Sequence, residues 1–374
     1  MRRTIFWGAA GLLLWTQAGY PAAIALADRR RARRARRAGA EPPQPLPLEP
    51  VSLIIAAHDE QEVIATKVAD ARAQDIACEV IVACDGCGDA TAQRAREAGA
   101  DLVLELPRGG KIRAQDAAVT GARGAVVAFS DANTRWEPDA LRALATALAQ
   151  PGVGYACGRV HLENPDGGTN QEGLYWRFET WLRGAEARLS SITAGTGAIY
   201  ATRREAYLVV DPVMGHDLSL PFNLVKRGWR AVETPAANAT EKMVPSIEGE
   251  FARKRRMMSH TWPIVIRGGL LDLRGFTPAY ALMIISHRWL RYASPFLHLA
   301  LLGAGATLAG RSRMHRLALA GQGVIVVAAL GPWNARPALL ARYYVLTTAS
   351  IAAGLYDWLA HGTQAAWEVA EGTR

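Results

Sequence analysis

The sequence predicts an α/β domain joined to membrane helices, and three observations carry that reading. Short apolar strands alternate with polar helices from Val51 to about Leu162, the pattern of a sheet built from βαβ units. Apolar regions flank that stretch: residues 4–27 contain no charge, and no acidic residue occurs between Asp272 and Asp357. The composition, 50% hydrophobic and 21% charged over 374 residues with a mean hydropathy of +0.02, is too apolar for a typical soluble enzyme and too polar for a chain embedded throughout. A disordered or fibrous protein is excluded.

Taken in order, residues 4–27 are long enough to cross a bilayer core, which takes ~20 residues. Arg2, Arg3 and the seven arginines between Arg29 and Arg37, less Asp28, supply +8 of the net charge of +9, leaving residues 38–374 at +1. Charge so concentrated argues against a nucleic-acid-binding face. It fits a juxtamembrane cluster that meets anionic membrane lipid or keeps its side of the membrane in the cytosol. A cleaved signal peptide carries its charge before the apolar stretch, whereas here the larger cluster follows it, so residues 4–27 are expected to be a retained transmembrane helix. Residues 28–50, basic and then Pro-rich (EPPQPLPLEP), are expected to form a linker to a cytosolic domain at 51–272.

Within that domain VSLIIAA, EVIVAC, DLVLEL and AVVAFSD read as buried parallel strands. Asp89 opens a helix after the second and Lys111 one after the third. Asn133 or Thr134 is placed to cap a helix that Pro138 helps start, and residues 152–162 supply a further strand. Ligands of open α/β sheets bind outside the carboxyl ends of the strands, and Asp59, Asp85 and Asp131 all fall there. Any one of them could simply cap a helix. Around Asp131, however, Ser130-Asp131-Ala132-Asn133 sets a carboxylate and a carboxamide two positions apart, oxygen ligands that suit a hard cation and leave positions for phosphate. Such a cation neutralises the charge developing on a diphosphate leaving group.

The four cysteines, Cys78, Cys84, Cys87 and Cys157, show no disulfide-dense spacing, which fits a reducing compartment. Cys84 and Cys87 form a C-x-x-C with no second Cys/His pair at zinc spacing. Tyr175, Trp176, Phe178 and Trp181 share one helix, where an aromatic stripe is more often core than a sugar-stacking platform. Residues 276–292 mix aromatic and basic groups as an interfacial helix does. Residues 294–360 then hold about three transmembrane helices, with candidate spans at 294–310, 317–331 and 338–359. If all spans cross, the arginines at 311–316 lie outside, against the positive-inside tendency.

The segments VSLIIAAHDEQEVI, CDGCGDAT, GGKIRAQDAAV, FSDAN, AGTGAIYATR and GHDLSLPFNLVKRGW follow one another in that order. In order and spacing they resemble the motifs of the membrane-associated family 2 glycosyltransferases, related to the synthases of hyaluronan, chitin and bacterial exopolysaccharides. The resemblance runs over residues 51–292. The first segment is similar to a strand ending in P-A-x-N-E, with Ala57 and Glu60 matching and Asp59 standing where Asn is usual. The second is similar to D-D-G-S-x-D-x-T, with Asp85 matching, Cys84 in place of the first Asp and Cys87 in place of Ser. The third resembles G-K-x-x-A-L-N, the fourth the D-x-D metal motif with Asn133 in its last place, and the sixth the E-D or D-D motif that opens a helix, with His216 in place of the first acid. Arg253, Arg256 and Met257 occupy the places of Q-x-x-R-W, whose complete form accompanies processive polymerisation.

The resemblance implies a Rossmann-like nucleotide-sugar-binding domain of the glycosyltransferase A type with flanking transmembrane helices. It implies an inverting transfer of sugar from a nucleotide-diphosphate sugar, UDP-sugar foremost, to a polysaccharide or glycolipid hydroxyl. Asp217 would be the general base, and Asp131 with Asn133 would hold a divalent metal, Mg or Mn. Ala57, Asp59, Glu60, Asp85, Lys111 and Asp131 would contact the donor, while Gly195, Thr196, Gly197, Arg253 and Arg256 would line the acceptor and diphosphate side. The expected place is the cell membrane, multi-pass with a cytosolic catalytic domain, and a homo-oligomer would widen any path for a polymer. Two other readings stand beside this one: a polyprenyl-phosphate acceptor, and a catalytically inactive membrane scaffold that binds sugar nucleotides. Retention of both Asp131 and Asp217 argues against the inactive scaffold. A transporter is disfavoured because no acidic residue lies mid-span.

Overall fold

The computed structural model describes residues 1–39, 47–163, 171–242, 247–333 and 335–365. The Pro-rich part of the expected linker, residues 40–46 with Pro45, lies outside them, as does the side chain of Tyr175.

Eight strands form one sheet: β1 Val51–Ala57, β2 Cys78–Asp85, β3 Leu102–Leu106, β4 Val126–Asp131, β5 Arg135–Trp136, β6 Val153–Glu163, β7 Ile199–Arg203 and β8 Arg230–Lys242, in the order β3-β2-β1-β4-β7-β6-β8-β5. The first four strands pair in parallel, as their apolar runs predict. Their residues alternate between two buried layers. Leu53, Ile55, Val80 and Val82 pack toward Leu141, Leu144 and Leu148, while Ile54, Ile81, Val127 and Phe129 pack toward Ala114 and Ala118. The sheet is not wholly parallel, because β7 runs antiparallel between β4 and β6, and β5 antiparallel to β8. Since β7 starts beside the end of β4, with Ser130 opposite Ile199, the loop entering it is delivered to the carboxyl edge of the parallel strands.

Asn133 and Thr134 do not cap the next helix. The short strand β5 intervenes, and that helix, Ala140–Leu148, begins after Asp139. The aromatic stripe also departs from expectation. On the helix Gln171–Leu189, Phe178 and Trp181 are 37% and 42% exposed and face outward with ring centroids 6.0 Å apart.

The N-terminal helix is continuous over Arg2–Arg37, 36 residues, so the arginine run is its last turns rather than part of a linker. Arginine is a good helix former, and nothing in the run interrupts the path. Asp28 on this helix accepts two hydrogen bonds from Arg188, at 2.9 and 2.8 Å. Helix Arg336–His361 is likewise long and apolar enough to cross a membrane, and by length and composition these are the two such helices among the described residues. The expected interfacial helix and first C-terminal span are one element: Pro278–Met283 passes through a π-helical turn at Ile284–Trp289 into Leu290–Leu308. Arg313–Leu330 follows, and the helix Ile247–Ile266 packs along Arg336–His361, where the Trp262 indole donates to the Ile351 carbonyl at 3.0 Å.

The N-terminal helix has a π-helical turn of its own at Trp15–Gly19, and the two turns face each other. An inserted residue upsets the intrahelical pattern and leaves backbone groups to be satisfied from elsewhere. Here the Thr16 hydroxyl donates to the Ser286 carbonyl and the Trp15 indole to the Ser286 hydroxyl, both at 2.9 Å. Tyr20, just beyond the first turn, and His287, within the second, reach the same buried Glu186 carboxylate through the Tyr20 hydroxyl and His287 Nδ1, the latter at 2.7 Å. Thr193 donates to the other Glu186 oxygen at 3.1 Å.

Candidate active site

The carboxyl edge of β1 and β2 forms a cleft of about 440 Å³ lined by Asp59, Glu60, Gln61, Glu62, Gly88 and Asp89. Ala57 closes β1. Asp59 has φ 51°, the sole non-glycine residue with positive φ among those described, a conformation that surrounding contacts must impose. Its Oδ1 accepts from the Gly88 N–H at 2.8 Å. Glu60 is buried and its N–H donates to the Thr91 hydroxyl at 2.8 Å. Cys87 donates to the Ala57 carbonyl at 3.6 Å, and all four cysteines are free thiols. Asp59, Cys87 and Asp89 present ligand atoms within 4.8 Å of one another, but Asp89 accepts from the Thr91 and Gln61 N–H groups at 3.0 and 3.1 Å. The trio knits the loops after β1 and β2 together.

Asp85 turns away from this cleft. It is 4% exposed and accepts from the N–H groups of Gly109 and Gly110 at 2.6 and 3.0 Å and from Arg108 at 3.1 Å. The residue expected to contact nucleotide therefore has its lone pairs filled by protein donors, and it fixes the loop that starts the helix Lys111–Gly121. Gly110 in that loop has φ 95°, and a Cβ there would lie 2.1 Å from the Ala365 carbonyl oxygen. Residues 362–365 thus return over the loop.

Lys111, first in its helix, forms an ion pair with Asp131 at the end of β4 and donates to the Gly197 carbonyl at 3.5 Å. The Asn133 side chain donates to the carboxylate of Glu241, at the end of β8. Burial, with the Asp131 charge beside it, pushes the Glu241 carboxyl up to about 7. Lys67 holds the turn that carries Asp131 and Asn133. Its buried ammonium donates to the Thr134 carbonyl at 2.6 Å, and its partner Asp70 accepts the Trp136 N–H at 3.0 Å. Burial lowers Lys67 to about 8. Neither Glu241 nor Lys67 is marked by any of the recognised segments. For Lys67 a signal exists, a lysine on the face of a helix that also buries Ile64, Val68 and Ala71.

The loop before β7 meets the start of the helix His216–Lys226. The Gly195 N–H donates to the Asp217 carbonyl at 2.6 Å, and a Cβ on Gly197 would lie 3.7 Å from Asp217 Cβ. Arg183 donates to the Gly195 carbonyl at 3.1 Å and the Thr196 hydroxyl at 2.8 Å, and is itself paired with Glu233 at 3.3 Å. Burial raises the half-buried Asp217 carboxyl above the usual carboxylate range, against the Lys111 charge and the N–H groups of the first turn. Arg253 pairs with Glu250 at 2.8 Å and brings its charge to Glu241, while Arg256 lies beside His260. Lys111, Asp131, Asn133, Gly195, Thr196, Gly197 and Asp217 come together at one end of the edge. Asp59, Glu60 and Asp85 stand at the other.

His216 belongs to the core. It is 2% exposed, with Nδ1 2.8 Å from the Tyr200 hydroxyl, inside a box of Phe129, Tyr200 and Tyr207. Burial, aided by the Lys111 charge, holds its pKa down at about 3. In the unfolded chain it takes a proton below about 6.5. Its contribution to stability is therefore complete above that pH and is lost as pH falls toward 3. The Tm of His216→Gln should fall less between pH 7 and pH 5 than that of the wild type; parallel curves in a thermal melt in detergent would remove His216 as the titrating group.

Residues 52–209 match the family described as Glycosyl transferase family 2. No curated protein matches the chain. Among solved structures, the chain is similar to a mannosyltransferase from Pyrobaculum calidifontis in complex with GDP-mannose and Mn2+, with TM-score 0.67 and 21% identity over 96% of this chain and 99% of that one. A glucosyl-3-phosphoglycerate synthase from Mycobacterium tuberculosis, in complex with Mn2+ and UDP, superposes with TM-score 0.41 and 19% identity over 57% of this chain and 78% of that one. At these identities the first likeness shows a shared fold.

Proposed function

We propose that this enzyme, which carries a glycosyl transferase family 2 domain at residues 52–209, moves a sugar from a nucleotide-diphosphate donor, UDP-sugar foremost, to an acceptor hydroxyl at a membrane, with inversion. The observation that carries this reading is the convergence of Lys111, Asp131 and Asp217 at one end of a sheet edge whose other end is the cleft at Asp59 and Glu60. The cleft takes the nucleoside, and the diphosphate runs toward Lys111. A divalent cation, Mg or Mn, belongs at Asp131 and Asn133. The donor set there is oxygen only, and the Lys111 ammonium already stands against Asp131 as a cation would. When bound, the metal neutralises the departing diphosphate. The fold shared with the Pyrobaculum calidifontis protein, solved with Mn2+ and a nucleotide sugar, supports that assignment.

Asp217 accepts the proton of the acceptor hydroxyl, which then attacks the anomeric carbon from the face opposite the diphosphate. The backbone of Gly195, Thr196 and Gly197 admits the acceptor close to Asp217, and Arg253 and Arg256 lie on the helix Ile247–Ile266, whose Lys254 and Arg255 bond Tyr343 and Asp357 of the helix Arg336–His361. The acceptor is a growing polysaccharide or a glycolipid, a polyprenyl phosphate being the second form. Purified protein in detergent should release nucleoside diphosphate from one member of a panel of sugar nucleotides with Mg or Mn. Absence of release from every donor with both metals would refute the reading.

The helices Arg2–Arg37 and Arg336–His361 are read as membrane spans with the catalytic domain cytosolic, since sugar nucleotides are made there and the arginines follow the first apolar stretch. A cysteine placed at Pro45 should resist an impermeant thiol reagent in intact cells. Ready labelling would reverse the topology.

A further inference from the structure

We propose that Glu241 supplies the second carboxylate of the cation site, in place of the Asp that position 133 lacks. The inference rests on the reading that a divalent cation sits at Asp131. With Asn133 in the last place of D-x-D, the motif offers one charge, and a neutral carboxamide is a poorer ligand for a hard cation than a carboxylate. The missing charge arrives from another strand.

The pairing of β5 with β8 shows how. Trp136 lies opposite Ala239 and Arg135 opposite Thr240, so the next step of the antiparallel register sets Glu241 opposite Thr134, beside Asn133. Asn133 then hydrogen-bonds the Glu241 carboxylate, and Glu241 comes under the direct influence of the Asp131 charge. The turn is not free to drift, since Lys67 and Asp70 hold its backbone at Thr134 and Trp136. Two half-buried carboxylates, Asp131 and Glu241, thus converge at the turn that carries Asn133, an oxygen pair suited to a divalent ion. Lys111 and Arg253 offset their charge in its absence. Outer partners of a metal typically change its affinity by about 10- to 100-fold when removed, and a direct ligand should reach at least that range.

Titration of the full-length protein in detergent with Mn2+ alone, read by the electron paramagnetic resonance of free Mn2+, tests this without reference to transfer. Glu241→Gln should bind Mn2+ about tenfold or more weakly than wild type, and adding Asn133→Asp to it should restore binding by returning the carboxylate to the motif. Binding by Glu241→Gln within twofold of wild type, while Asp131→Ala loses it, would overturn the role of Glu241 and leave the cation at Asp131. Loss in Glu241→Gln with no recovery in the double variant would also overturn it and make Glu241 a support for the fold. A wild type that binds no Mn2+, or an Asp131→Ala variant that binds as well as wild type, would overturn the cation reading itself.

Discussion

The Asp217→Asn variant is expected to bind donor and cation as the wild type does while transfer to the acceptor falls by about 10² to 10⁴, the usual cost of losing a positioned base. Asn keeps the volume of the side chain, and the helix His216–Lys226 is entered from Gly215 without a side-chain cap, so its first turn and the hydrogen bond from Gly195 to the residue 217 carbonyl should survive. What is lost is the proton acceptor. Burial raises the Asp217 carboxyl, which brings it closer to neutral pH as a base but also lets acid silence it earlier. The transfer rate should therefore fall on acidification through that raised pKa, and the Asn variant should lack this limb. Donor binding by calorimetry beside transfer measured in the same preparation separates the two effects. Transfer within a few-fold of wild type would leave Asp217 a charge that steadies the first turn of its helix and turn attention to Asp211, since His216 is sealed among tyrosines.

Asp131→Ala should remove the metal dependence of donor binding, with a loss in Mn2+ affinity of about 10²-fold or more. Asn133→Ala should cost less, because it deletes a neutral ligand. The substitution at Asp131 also releases Lys111 from its ion pair, so weak donor binding that ignores Mn2+ should persist through the freed ammonium facing the diphosphate. Donor affinity with and without Mn2+ reads both effects. Equal, metal-independent affinities in wild type and variant would end the metal assignment.

Legibility followed burial and locality. The strands β1, β2 and β4 are covered on both faces, so they read as apolar runs, and the carboxylates at their ends could be placed at the edge from the sequence alone. β5 has only two residues, and the direction of β7 depends on how a distant segment returns to the sheet, which no local pattern encodes. Asp85 ends its strand as the sequence predicts, but its partners, two glycine N–H groups and Arg108, come from a loop whose conformation appears only in three dimensions. Glu241 stayed hidden for the same reason: its meeting with Asn133 is made by pairing between strands far apart in the chain. A run of arginines announces its charge and says nothing of its conformation, which is why this helix end reads as a linker in the sequence.

The opposed π-helical turns at Trp15–Gly19 and Ile284–Trp289 have a mechanical consequence. Sliding either helix by one residue, ~1.5 Å, would part both hydrogen bonds to Ser286 at once, so the pair has a single axial setting, like a pin through two rods. The same two helices grip Glu186, on the helix that also carries Arg183, and Arg183 holds Gly195 and Thr196. With the helix Arg2–Arg37 spanning a bilayer, as proposed above, the floor under Asp217 would stand at one fixed height above the lipid surface. Reach along an acceptor would then be gauged by the scaffold, independently of how tightly the acceptor is bound.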